Sequence, residues 1–215
     1  MRDEADSVPE LVMAWGQGWT VCRATPDPVA VPGGFRIEVG RPGHRERTVL
    51  HTYDDDSLRR FGRTSDRPGT WLKVMGSPEV LRSALPDGWT TTAVNHLMTV
   101  PFEATSVAPP APYDLRVRTD GPMVLVTVST PDGTPAAYGR LAPAGEFGIV
   151  DQVGTADAHR RRGLGSVVMR ALGVEATRRG LRTGILVATE DGRALYHALG
   201  WTVRSEVAAA FRPEP

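Results

Sequence analysis

The run Arg160-Arg161-Arg162-Gly163-Leu164-Gly165-Ser166 combines three guanidinium groups with two glycines. Gly163 and Gly165 lack Cβ atoms and let an anion come close to the backbone. The residues after them have helical periodicity, so the run opens a helix. The first N–H groups of a helix lack internal partners and carry partial positive charge. Arginine adds bidentate donors for phosphate oxygens. Together these features make a pyrophosphate site; the competing reading is a solvated, idle arginine run. A Walker loop is excluded, because no Gly-Lys-Ser/Thr closes the segment. A dinucleotide fingerprint is excluded as well, because no third glycine follows at the required spacing and the strand before the run belongs to a meander.

The elements around the run follow from pattern. Asp114 to Arg118, Met123 to Ser129, Ala136 to Leu141 and Phe147 to Thr155 read as strands, joined by turns at Thr119-Asp120-Gly121-Pro122, Pro131-Asp132-Gly133 and Gly145. Leu164, Val167, Val168, Ala171 and Leu172 form one apolar stripe at helical period. Arg178 and Arg179 suit the last turn of that helix, and Gly180 suits its C-terminal cap. Gly184 to Ala188 reads as a strand and Asp191 to Leu199 as a short helix stopped by Gly200. Trp201 to Val203 and Val207 to Phe211 read as two closing strands.

The Pro-rich stretch 107–113 divides the chain, as an extended linker would. The expected organisation is an N-terminal α/β lobe at 1–106, the linker, and a catalytic domain at 114–215. Thr70 to Val74 reads as a strand. Ser77-Pro78-Glu79 starts a helix that continues through Leu85 and ends at Pro86-Asp87-Gly88-Trp89. Set beside Thr183 to Trp201, this unit suggests an internal repeat. The competing reading is that strand-helix-strand units ending in Gly-Trp look alike.

Composition excludes several classes. The 215 residues are 40% hydrophobic and 23% charged, with zero formal net charge. That balance suits a soluble globular protein and offers no global attraction to nucleic acid or to an anionic membrane. Cys22 is the single cysteine, so no intrachain disulfide or cysteine metal cage is expected. No His pair has metal-ligand spacing. The start lacks the order of a signal peptide, and no run approaches the roughly 18 apolar residues of a membrane span. The expectation is a cytoplasmic protein. Lys73 is the only lysine.

Two motifs in order carry a resemblance. Arg160, Gly163 and Gly165 match the Arg/Gln-x-x-Gly-x-Gly/Ala motif of the GNAT acetyltransferase superfamily. Leu195-Tyr196-His197-Ala198-Leu199-Gly200-Trp201 resembles its Leu-Tyr-x-x-Leu-Gly-Phe/Trp motif. The resemblance implies an α/β (α+β) GNAT fold, a mixed and mostly antiparallel sheet flanked by helices. If the first half repeats it, the chain is a tandem of two GNAT-like halves. It also implies acetyl-CoA as acyl donor, an amine acceptor and no metal. The pantetheine arm would run beside Val153, Gly154 and Thr155. The pyrophosphate would sit on Arg161, Arg162, Gly163, Leu164, Gly165 and Ser166, with Arg160 beside it. Thr189, where many members carry Asn, would also touch the cofactor.

Tyr196 matches the family tyrosine that protonates the departing thiolate, and its competing role is packing. The acceptor ammonium must lose a proton before attack. Asp151 is the candidate base, on the same face as Val153 and Thr155 if the strand is regular; the competing role is to orient an arginine. His159 and His197 are weaker candidates. Family members place two helices between their first two strands to wall the acceptor site, and here a tight turn fills that place. The first half, with Arg82 where the second has Tyr196, is expected to supply the wall. Trp15, Trp19, Trp71 and His96 are candidate lining residues. The expected function is N-acetylation of a small-molecule amine. The alternatives are an acyl-CoA sensor without turnover, and a protein or peptide acetyltransferase.

Overall fold

A computed structural model describes residues 6–103 and 105–214. Most of the amino-terminal start read for a leader, residues 1–5, lies outside the described residues. The chain begins with helix α1 (Val8–Arg23), which Ser7 caps by accepting from the Glu10 amide. Strands β1 (Val29–Val31), β2 (Gly34–Arg41) and β3 (His44–Leu50) follow, then α2 (Asp55–Thr64), β4 (Thr70–Met75), α3 (Pro78–Ala84), β5 (Thr90–Thr91) and β6 (Asn95–Pro101). The second half contains β7 (Asp114–Asp120), β8 (Met123–Ser129), β9 (Pro135–Ala144) and β10 (Phe147–Thr155). After a 3₁₀ turn (Asp157–His159) come α4 (Leu164–Arg178), β11 (Thr183–Ala188), α5 (Glu190–Ala198) and β12 (Thr202–Phe211).

Among the described residues the strands form one sheet in the order β1-β2-β3-β4-β12-β6-β11-β10-β9-β8-β7, with β5 beside β12. The order reads alike from both sides of its centre. β2 and β3 are antiparallel and β3 and β4 parallel, with α2 between them in sequence. β9 and β10 are antiparallel and β10 and β11 parallel, with α4 between them. The last strand of each half has crossed over: β12 pairs with β4, β6 pairs with β11, and the two pair with each other. The expected pair of closing strands is therefore a single strand. Its first part, Thr202–Val207, lies on β6 and its second, Val207–Phe211, on β4, with a register shift between Val203 and Ser205.

The sheet curves round α1. Leu11, Trp15 and Trp19 share one buried cluster with Phe35, Val49, Met75, Leu97, Ile149, Ile185 and Val207, drawn from strands far apart in the sheet. The other helices lie on the opposite face. The predicted stripe of α4 is fully inside a cluster with Val124, Val126 and Val128, while Leu58 and Leu81 of α2 and α3 cover Leu72 and Val74. No helix among the described residues is long and apolar enough to cross a membrane.

Candidate active site

β10 and β11 part company within the sheet. Their pairing ends at Ile149 opposite Ile185. β11 stays with β6 as far as Ala188 opposite His96, and β10 stays with β9 as far as Thr155 opposite Ala137. The edge of Val150–Thr155 that faces β11 is thus left without a strand partner. A bulge between Asp151 and Gly154, with Gln152 at φ +52, sharpens the divergence. Among the described residues the buried Gln152 Oε1 finds no hydrogen-bond partner. A buried acceptor left unpaired calls for a donor.

The bulge also changes which residues share a face. Val153 packs into the α4 cluster, and the Thr155 hydroxyl approaches Gly165. Asp151, by contrast, faces α1, where Arg23 grips it through Nε at 2.6 Å and Nη2 at 3.1 Å. A regular strand would have put all three on one face; the extra residue in the bulge turns Asp151 to the other side.

The arginine-glycine run lies where β10 ends. Gly163 is the N-cap of α4 at φ +77, and no side chain caps the first turn. The early amides therefore stay open to an anion. A Cβ at Gly165 would lie 3.0 Å from Leu195 Cδ2, so this glycine lets α4 sit close to α5. Leu164 is buried and can offer only its backbone. Arg160 is paired with Asp157 at 2.8 Å on the surface. Arg162 donates to the Tyr113 hydroxyl at 2.9 Å, which in turn lies 2.9 Å from His159 Nδ1. Tyr113, at the end of the Pro-rich stretch, thus pins the loop, and His159 is part of that anchor. His197 is exposed on α5.

α5 brings Tyr196 to the mouth of the splay. Its ring lies 6.1 Å from that of Trp201 and over Gly192, where a Cβ would come within 3.0 Å of Cε2. Burial, with a smaller contribution from the Asp151 carboxylate, pushes the Tyr196 hydroxyl up to about 12. Thr189 N-caps α5, its hydroxyl accepting from the Gly192 amide at 3.3 Å. His96 lies on the helix side of β6 and meets Glu190 at 2.9 Å, so a strand of the first half fixes the first turn of the helix that carries Tyr196.

Residues of the first half lie on the α1 side of the sheet. Arg140 donates to the Cys22 carbonyl and Arg41 to the Arg23 carbonyl, which caps the end of α1 with two cations. Arg23 and Arg47 lie 4.9 and 4.3 Å from the ring centre of Trp19. His44 sits 5.2 Å from Trp71, which stacks on Phe211. Of the predicted lining residues, Trp71 is partly exposed in this region, whereas Trp15 and Trp19 are both core, Trp19 reaching the region only through Arg23 and Arg47. Burial, and the charge of Asp151, push the Cys22 thiol up to about 12, so it stays protonated and unreactive. No group of three or more His, Cys, Asp or Glu among the described residues could hold a metal ion.

His44 gives a pH signature. Burial, then the cations Arg47, Lys73, Arg23 and Arg41, push its imidazole down to about 3 from an ordinary 6.5. Its Nε2 accepts from Arg47 Nε at 3.2 Å, as a neutral ring can. Between pH 6.5 and about 3 the unfolded chain takes up a proton that the fold refuses, so stability falls as pH falls through that window. Thermal melts of the parent should therefore drop more steeply with acid than those of His44→Gln. Equal slopes would remove this assignment.

Comparison with known proteins adds to this geometry. The model of the acetyltransferase (GNAT) family matches residues 91–201. No curated protein matches the chain. The fold is similar to a GCN5-related N-acetyltransferase from Kribbella flavida, at 17% identity and TM-score 0.69, covering 98% of each chain. It is also similar to a GCN5-related N-acetyltransferase from Sphaerobacter thermophilus, at 13% identity and TM-score 0.58, covering 83% of this chain and 76% of that one. A tandem GNAT protein from the clavulanic acid biosynthesis pathway aligns at 14% identity and TM-score 0.53, covering 79% and 76%.

Proposed function

Since the chain belongs to the acetyltransferase (GNAT) family, we propose that it moves an acetyl or other short acyl group from coenzyme A onto the amine of a small molecule by direct attack. One observation carries this reading: β10, parted from β11, runs on to Thr155 beside Gly165 in the uncapped first turn of α4, and its Asp151 lies close enough to act on Tyr196. The coenzyme A pyrophosphate would rest on the amides of Arg161–Ser166, with Arg160 and Arg162 beside it. The amides of the pantetheine arm would complete the open edge at Val153-Gly154-Thr155. The orphaned Gln152 Oε1 fits an amide donor there.

The roles of the side chains follow. The amine nitrogen bonds to the thioester carbon, the carbon–sulfur bond breaks, and Tyr196 gives its proton to the departing sulfur. Asp151 takes the proton lost by the amine, directly or through water. Arg23, Arg47 and Lys73 add to this, because surrounding cations disfavour an ammonium and so favour the nucleophilic free amine.

Calorimetry with acetyl-CoA, together with CoA release in the presence of an amine panel, tests the proposal. Acetyl-CoA should bind, and a matching amine should release CoA. Binding without release by any amine would favour a sensor. Gly163→Val should weaken acetyl-CoA at least about tenfold. No atom crowds a Cβ there, so the effect comes from the φ of +77, which a β-branched residue adopts only with strain of about 1–3 kcal/mol. Unchanged affinity would move the pyrophosphate away from α4.

A further inference from the structure

Burying a cation without an acidic partner is costly, and folds rarely retain one without a use for it. Among the described residues, two buried cations have no carboxylate within ion-pair distance. Lys73 is 6% exposed and Arg47 8% exposed. They stand two residues from Met75 and Val49, which pack against α1, so both lie on the α1 side of the sheet. The hydrogen-bond partner of Arg47 is the neutral ring of His44, and its flat face covers Trp19. The charges acting on Lys73 are those of Arg47 and Arg23, both cations. The acids of β2 and β3 are engaged elsewhere, Glu46 with Arg36 and Glu38 with Arg67. Asp151 is matched by Arg23. Asp151 also acts on Arg47, so three cationic side chains share one carboxylate at the end of α1. They lie across the sheet from the open end of α4, so the cofactor phosphates do not answer them.

We infer that Arg47 and Lys73 receive an anionic group of the acceptor, so that the substrate is an amine that also carries a carboxylate or a phosphate-like group. This rests on the acyl-transfer reading above. The amine would lie toward Asp151 and the anion toward β3 and β4. A guanidinium fixed on Trp19 presents a planar fork to such an oxyanion, and the ammonium adds a point charge.

The single lysine makes the test clean. With the chain labelled with ¹³C at lysine Cε, Lys73 gives one side-chain resonance. The probes are ω-amino carboxylates of several lengths, the matching ω-amino phosphonates, and the matching alkylamines, all at constant ionic strength. The Lys73 resonance should move with one or both anionic series and stay still with the alkylamines. CoA release should be at least tenfold faster for the better anionic series, and the series that wins distinguishes carboxylate from phosphate chemistry. Lys73→Met and Arg47→Met should each raise KM for that series at least tenfold.

Lys73→Met should also raise Tm. Burial, then Arg47 and Arg23, push Lys73 down to about 7 from 10.5, so stability rises with pH between those values as the unfolded chain alone holds the proton. The gain from Lys73→Met should accordingly be greatest below pH 7 and shrink toward 10.5. If acetyl-CoA binds but no anion moves Lys73, the inference falls while the acyl-transfer reading stands. If anions move Lys73 but acetyl-CoA does not bind, the anion site stands and the acyl-transfer reading falls. Alkylamines turned over as fast as their anionic counterparts would also overturn it.

Discussion

Tyr196→Phe should lower turnover by about 10- to 1000-fold, the range for loss of one general acid. The affinity for acetyl-CoA should change little, because the phenyl ring keeps its place over Gly192 and beside Trp201. The hydroxyl is suited to one step. Burial and Asp151 hold it at about 12, so it is protonated across the working range. The same burial raises the proton affinity of a thiolate formed beside it, which narrows the gap between donor and acceptor. Single-turnover kinetics isolates the step, and an unchanged rate with chemistry shown to be limiting would return Tyr196 to a packing role. Because the parent hydroxyl titrates only near 12, its alkaline limb should lie well above neutrality.

The second large effect is expected at Asp151. Asp151→Ala leaves Arg23, Arg47 and Lys73 facing one another with no carboxylate. Removing one partner of a fully buried pair costs about 3–5 kcal/mol. Arg23 is 30% exposed, so solvent screening brings the expectation to about 1–3 kcal/mol. Turnover should fall about 100-fold or more, as for loss of a positioned base. The double variant Asp151→Ala with Arg23→Met separates the two roles. It should regain most of the stability, since the stranded cation is gone, and regain none of the turnover. Recovery of turnover in the double variant would reduce Asp151 to a holder of Arg23.

The second half was largely legible because its elements obey single periods. The stripe of α4 has one apolar face, and Gly163 and Gly180 mark its ends. α1 was not legible. It is buried on most sides and so has no stripe, and glycines at 16 and 18 lower its helix propensity. Both glycines are contact points: a Cβ would come within 2.5 Å of Phe35 Cζ at Gly16, and within 2.5 Å of Ile149 Cβ at Gly18. The signal available was Ser7 with Pro9 just after it, a helix start. The face of Asp151 was misread because nothing in the residue types announces a Gln at positive φ. Arg47 sits in a polar stretch that reads as solvated, and only the wrapping of the sheet buries it. Lys73 gave the stronger hint, as a lone charge inside Trp71-Leu72-Lys73-Val74-Met75.

The crossing of β6 and β12 has a consequence for biosynthesis. The ribosome releases the first half with β6 already made, yet the neighbour that β4 needs is the last strand to emerge. Until then β4 offers an open edge, the kind of surface on which nascent chains pair wrongly. β12 must then insert between β4 and β6, uniting residues 71–75 with 207–211, a long-range pairing that slows folding. The ten residues of β12 thus act as a closing stitch for both halves at once. A chain cut short before Val207 would strand the first half as well as the second.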